Sequence, residues 1–230
     1  MVNKNKNNLY KNLCKDCRGS IKFKNDFVCV FCDSKSTAGK TCPWCTKTCY
    51  LDQLLSASEY GGIVRKTIKE MKYRYIKDVA NDFSVMLSGF ALKQIKNKHL
   101  EFIGNELIIP VPLGRFRFNY RGFNQAEIMA RKVASDLKLD LATNVLTRKK
   151  IKMPQADIKE KMKRFENATG VYSINGGTTV KNKTVWLVDD VSTTGATLND
   201  CARALKEAGT IRVVGLTMAK GKLKNFKRIT

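Results

Sequence analysis

The stretch Val185–Thr197, VWLVDDVSTTGAT, constrains this chain more than any other. An apolar run leads into Asp189 and Asp190, then into a loop of hydroxyls around Gly195. A short continuous apolar run bounded by a turn signal reads as a strand buried on both faces, the usual state of strands in parallel sheets. TLNDCARALKEAG follows with the pattern of a helix, Thr197 near its N-cap and Gly209 at its C-terminal end. Strand, loop and helix in that order form half of a βαβ unit. Open parallel sheets bind ligands at the carboxyl ends of their strands, where both acids stand.

The rest of the chain repeats the theme. Leu107–Val111 is a second apolar run, followed by a loop and a helix that carries Ile128, Met129 and Val133 on one face. Asn124 with Glu127 fits a capping-box variant at its start. LDLATNVLTRKK and IRVVGLTMAK are further strand candidates. Upstream, Gly61-Gly62 ends a short extended piece at Ala57–Tyr60. A helix with Ile63, Ile68 and Met71 follows, then a second near Asp78–Lys96 with Val79, Phe83, Met86, Leu87 and Phe90 on its packed face. The fold class expected is α/β: an open, mostly parallel sheet flanked by helices. IKMPQADIKEKMKRFENATGVYSING is basic and weakly periodic, a long excursion of the kind that usually serves function.

Cysteine usage sets the N-terminal part apart. Seven of eight cysteines fall between Cys14 and Cys49, in the pairs CKDC, CVFC and CPWC plus Cys49. Each C-x-x-C turn aims two thiolates at one ion, and two turns complete a tetrahedral zinc site that substitutes for a core in a small module. The short connection favours Cys14, Cys17, Cys29 and Cys32 as the zinc set. A ribbon pairing of Cys14 and Cys17 with Cys42 and Cys45 fits the spacing about as well. A second site from Cys42, Cys45 and Cys49 lacks an obvious fourth ligand. Cys201 lies within a helical pattern and reads as core.

The chain has 43 Lys+Arg against 20 Asp+Glu, a net charge of +23. That excess favours a polyanionic partner, although Lys- and Asn-rich coding accounts for some of it. The start of the chain is polar and basic, and no apolar run is long enough to span a membrane, so the expected location is cytoplasmic.

In this basic setting the acids of the opening stretch need a reason. Ser192–Thr197 offers backbone N–H groups, hydroxyls and a helix N-terminus, an anion cradle suited to phosphate. Gly195 lets the backbone approach closely. Paired carboxylates above it accept hydrogen bonds from a cis-diol or hold Mg²⁺ through water. Together these features point to a ribose 5-phosphate. A cap at Asp189 with a solvated Asp190 would suit an isolated pair, but not one set between a buried strand and T-T-G-A-T.

VWLVDDVSTTGAT resembles the PRPP-binding signature of type I phosphoribosyltransferases. The resemblance implies that Asp189 and Asp190 are the acidic pair of the catalytic centre and contact the ribose hydroxyls. Thr193, Thr194, Gly195, Ala196 and Thr197 would hold the 5-phosphate, with Ser192 at a position that varies. It places a pyrophosphate loop at Val111, Pro112 and Leu113, where backbone N–H groups face the pyrophosphate with Arg121 as the neutralising cation. Arg115 and Arg117 are alternatives. Phe123 reads as core and Asn124 as a cap. A hood over the site would carry Lys149, Lys150, Lys152 and Gln155, followed by Lys161, Lys163 and Arg164.

PVPLGRFRFNYRGFNQAEIMA, the preceding C-x-x-C module, the KYR near residue 73 and MPQADIKEKMKRFENATGVY are similar to the layout of the ComF family of competence proteins. The expected organisation is then a zinc-binding module at residues 1–50, a helical connector with the start of the main domain at 51–104, and a phosphoribosyltransferase-like domain at 105–230. The family implies a role in natural transformation, with binding of single-stranded DNA and its handling at the cytoplasmic side of the membrane. Its partners would be the competence helicase and the uptake machinery, through peripheral membrane contact. Structural Zn²⁺, and Mg²⁺ with PRPP, are the implied cofactors. The alternative is an active phosphoribosyltransferase that passes ribose 5-phosphate from Mg-PRPP to an acceptor. Trp44, Tyr50 and Phe31, set among lysines, suit either base stacking or the core of a small module.

Overall fold

The computed structural model describes residues 12–73, 77–149, 170–175 and 179–223. The strands are β1 (Gln53–Glu59), β2 (Glu106–Pro110), β3 (Asp140–Leu141), β4 (Leu146–Arg148), β5 (Tyr172–Ile174), β6 (Thr184–Ser192) and β7 (Arg212–Lys220). The helices are α1 (Lys15–Gly19), α2 (Gly62–Tyr73), α3 (Lys77–Lys96), α4 (Arg115–Arg121), α5 (Gln125–Leu137) and α6 (Ala196–Glu207). Five strands form one parallel sheet in the order β1-β7-β6-β2-β3. β4 and β5 form a separate antiparallel pair.

β6 sits at the centre because its apolar residues can be buried on both sides. Trp186 and Val188 face a core shared with α2, α3 and α5, while Val185 and Leu187 face one shared with α6 and the β4–β5 pair. The same alternation splits β2, with Ile108 on the first face and Leu107 and Ile109 on the second. The strand continues through both acids to Ser192, beyond the expected end, because pairing with β7 runs on to Ser192↔Lys220.

Two elements differ from the sequence reading. The extended piece expected at Ala57–Tyr60 is a seven-residue strand, β1, paired parallel with β7 at the sheet edge. The main sheet therefore begins in the segment read chiefly as a helical connector. LDLATNVLTRKK, read as one strand, divides into β3 in the main sheet and β4 in the antiparallel pair.

Helix α5 starts as the residues dictate. Asn124 is its N-cap: Oδ1 accepts from Ala126 N at 3.1 Å, and Nδ2 donates to Val111 O at 3.0 Å. Glu127 does not close a capping box; it pairs with Arg131 one turn on. Phe123 and Cys201 are core residues.

Candidate functional site

The carboxyl ends of β2 and β6 open into a cleft of about 780 Å³. Asp189, Asp190 and the loop Ser192–Thr197 form one wall. Val111, Pro112 and Leu113, and Arg117 and Arg121 of α4, line the same cleft. The strand-end residues singled out in the sequence thus share one cavity. Lys150, Lys152, Gln155, Lys161, Lys163 and Arg164 lie outside the described residues.

The two acids are not equivalent. Asp190 is 2% exposed and meets Lys72, whose Nζ lies 3.0 Å from Oδ1 and 2.7 Å from Oδ2. The Lys72 ammonium thus offers a cation to a carboxyl group that the fold has taken out of water. Asp189 is half-buried and lines the cleft. Burial, with the Asp190 charge beside it, pushes its carboxyl up to about 8. A cation or a hydroxyl donor entering the cleft would favour its ionised form.

Gly195 is the N-cap of α6 with φ +80° and offers no side-chain acceptor to the first amides of the helix. Those N–H groups lack intrahelical partners by construction and face a helix start that favours anions. Thr193 and Thr194 are exposed, Ala196 and Thr197 half-buried. Ser192 is 3% exposed, and its Oγ has no hydrogen-bond partner among the described residues. This arrangement can seat a phosphate-sized anion, with a carboxylate nearby to accept from hydroxyls.

At Val111–Leu113 the geometry narrows the expected backbone donors. Val111 N donates to Val188 O at 2.9 Å, and Pro112 has no N–H. Donors for a ligand in this stretch therefore begin at Leu113. Arg121 is fixed by Nε to Lys72 O at 3.1 Å and by Nη1 to Gln125 Oε1 at 3.2 Å. One segment, the end of α2, thus steadies both the acid and the arginine. Sequence reasoning missed Lys72 as a site residue although it begins the KYR triplet, because its partner is 118 residues away. It also missed Arg148, which lines the cleft and lies over the Tyr172 ring at 5.7 Å; its signal was its place at the start of the basic run with Lys149.

The cysteines assemble differently from the favoured expectation. Cys29, Cys32, Cys42 and Cys45 bring their sulfurs within 4.8 Å of one another, and Cys32 and Cys42 Sγ lie 3.6 Å apart. Zn–S bonds of about 2.3 Å in a tetrahedron separate sulfurs by about 3.8 Å, so the set fits zinc. The Cys45 backbone N–H lowers the Cys42 thiol to about 6, toward the thiolate a metal needs. Cys14 and Cys17 are not part of the cluster. Asn12 N and Leu13 N donate to the buried Asp82 of α3 at 2.9 and 2.6 Å, and Leu13 packs on the α3 face of the sheet. Val30, between Cys29 and Cys32, belongs to the opposite face. Cys49 also stands outside the four-sulfur group.

Comparison with known proteins agrees with this architecture. Residues 119–225 match the phosphoribosyl transferase domain family. Competence protein F of Haemophilus influenzae is 27% identical over 92% of this chain and 99% of its own length. Competence protein ComFC of Bacillus subtilis is 26% identical over 86% of this chain and 79% of its length. The DNA utilization protein YhgH of Escherichia coli O157:H7 is 24% identical over 87% of this chain and 93% of its length. The chain is thus similar over most of its length to proteins named competence protein F and ComFC, its residues 119–225 match the phosphoribosyl transferase domain family, and a four-cysteine cluster lies on its N-terminal side.

Proposed function

We propose that the cleft binds PRPP or a closely related 5-phosphoribosyl compound with Mg²⁺, and that the chain serves DNA uptake by binding single-stranded DNA. The observation that carries the ligand reading is the β6–α6 junction, where a helix start with glycine at its N-cap sits beside a cleft-facing carboxyl. Thr193–Thr197 hold the 5-phosphate. Asp189 accepts from the ribose hydroxyls or the hydrated Mg²⁺, while Asp190, tied to Lys72, supports it from behind. Leu113 and Arg121 serve the pyrophosphate, with Arg117 and Arg148 adding positive charge. The Cys29, Cys32, Cys42 and Cys45 cluster holds a structural zinc.

The DNA reading draws on the names of the relatives and on the surface. Phe116, Phe118 and Tyr120 are exposed on α4 among Arg115, Arg117 and Arg121, and Trp44 is exposed on the cysteine module beside Lys47. Rings interleaved with cations suit stacked bases and a phosphate backbone without sequence preference. Among the described residues no helix is long and apolar enough to cross a membrane. The proposed place is the cytoplasmic face, peripheral to the uptake machinery and its helicase.

Fluorescence anisotropy with labelled single-stranded oligonucleotides tests this reading. Binding that falls steeply with salt, and that shifts on addition of Mg-PRPP, supports it. No binding at low salt removes the DNA role.

The match to a transferase domain favours a second reading, catalysis of phosphoribosyl transfer. Pyrophosphate release from Mg-PRPP in the presence of candidate acceptors would establish it.

A further inference from the structure

The cysteine module touches the proposed phosphate loop directly. Val30 and Phe31, the two residues between Cys29 and Cys32, press on Gly195: a Cβ at Gly195 would lie 2.8 Å from Val30 Cγ2 and 3.1 Å from Phe31 Cε1. Val30 is fully buried there, in the core that includes Leu51, Leu54 and Leu198. Gly195 has φ +80°, a backbone conformation that favours glycine.

Two further contacts hold the same loop. Asp33, directly after Cys32, receives Lys220 Nζ at the end of β7 and Leu223 N at 2.8 Å. Lys220 is the strand partner of Ser192, and Gly221 N donates to Ser192 O at 2.8 Å, so Asp33 braces the point where the loop leaves β6. On the other side, Asn199 Oδ1 accepts from Tyr50 N at 2.7 Å and Leu51 N at 3.3 Å, just after Cys49. Asn199 N in turn donates to Gly195 O at 2.8 Å. The loop is held at its start, its glycine and its first helical turn, each time by residues that flank the cysteines.

We infer that the four-cysteine knuckle is a positioning device for the phosphate loop, with Val30 and Phe31 as positioning residues. A metal ion on the four sulfurs fixes the Cys29–Cys32 turn, that turn fixes Gly195, and Gly195 sets the amides that receive the phosphate. Metal occupancy and ligand affinity are then thermodynamically coupled, each strengthening the other by the same factor. Loss of metal lowers phosphoribosyl binding without touching any group that contacts the ligand. The inference rests on the reading that this loop holds a 5-phosphate.

The test uses the full chain with ribose 5-phosphate and Mg-PRPP as calorimetric probes, and zinc content measured on each sample. Phe31→Ala retains all four thiols; it should keep one zinc per chain and bind both probes about tenfold more weakly. In parallel, the unaltered protein competes for zinc with a chromophoric chelator, with and without saturating Mg-PRPP. The ligand should raise zinc affinity by the factor that zinc removal costs ligand affinity. That second measurement stands if the variant fails to fold. Unchanged probe affinity in zinc-loaded Phe31→Ala, or zinc affinity indifferent to ligand, overturns the coupling. Absence of probe binding to the unaltered, zinc-loaded protein overturns the phosphate reading itself, a separate outcome.

Discussion

The cysteine module and the cradle at the end of β6 both hold a short chemical loop, by opposite means. The cradle follows β6, which pairs with β2 as far as Val188 and with β7 as far as Ser192, and α6 packs against the same core. Among the described residues the module has little regular structure: the short helix α1, the isolated bridges Phe23↔Ser58, Val28↔Lys35 and Lys40↔Gln53, two short 3₁₀ turns and four clustered sulfurs. The first is built on a sheet, with the module bracing its loop, and the second on a cluster of sulfurs suited to an ion. A small segment that cannot bury enough apolar area uses metal bonds instead, so its stability is exposed to removal of one atom.

The largest effect expected from this contrast is at the module. Cys45→Ser should abolish stoichiometric zinc and strip hydrogen-exchange protection from residues near 27–51, while the β6 and β2 amides stay protected. Elemental analysis with exchange mass spectrometry checks it; uniform loss across the sheet would break the contrast. Next is the cradle's own charge. Lys72→Met removes the cation that meets the 2% exposed Asp190 carboxyl, at a cost of about 3 kcal/mol in urea unfolding. Adding Asp190→Asn should recover most of that loss.

A pH effect belongs to Asp189. Its carboxyl is raised from 3.8 to about 8, so between those values the folded chain holds a proton that the unfolded chain has released. Stability therefore falls as pH rises through that window and levels off above it. Asp189→Asn should remove this part of the slope, which unfolding free energies across the window would show. The smallest effect is at the other C-x-x-C. Cys14→Ser should leave zinc content unchanged and shift stability by less than about 0.5 kcal/mol, as for a residue outside any buried network. Zinc loss in this variant would mean that the two regions had been divided at the wrong cysteines.

What could be read from the residues alone follows the same division. β6, its acids and the T-T-G-A-T turn were legible because strand burial and turn chemistry are local. β1 was only half legible because its buried positions include Gln53, Ser56 and Ser58. Each is satisfied by a distant partner: Ser56 Oγ meets Thr217 Oγ1 at 2.6 Å, Ser58 Oγ donates to Met218 O at 2.8 Å, and Gln53 Nε2 reaches Ala38 O and His99 O. Such polar residues interrupt the apolar pattern that marks a buried strand. The cysteine pairing was illegible because all three C-x-x-C turns look alike locally. Their sorting depends on which turns the fold brings together, and it is Cys29, Cys32, Cys42 and Cys45 whose sulfurs meet. Lys72 was hidden for a similar reason, since only folding brings it to Asp190.

The most direct test of the central claim, that the β6–α6 junction holds a phosphoribosyl ligand, is calorimetric titration of Mg-PRPP into zinc-loaded protein and into Asp189→Asn. One ligand per chain is expected for the unaltered protein, with affinity at least about tenfold weaker in the variant, as for loss of a charged hydrogen-bond acceptor. Equal affinity in the two proteins, or no binding to the unaltered one, would contradict the account.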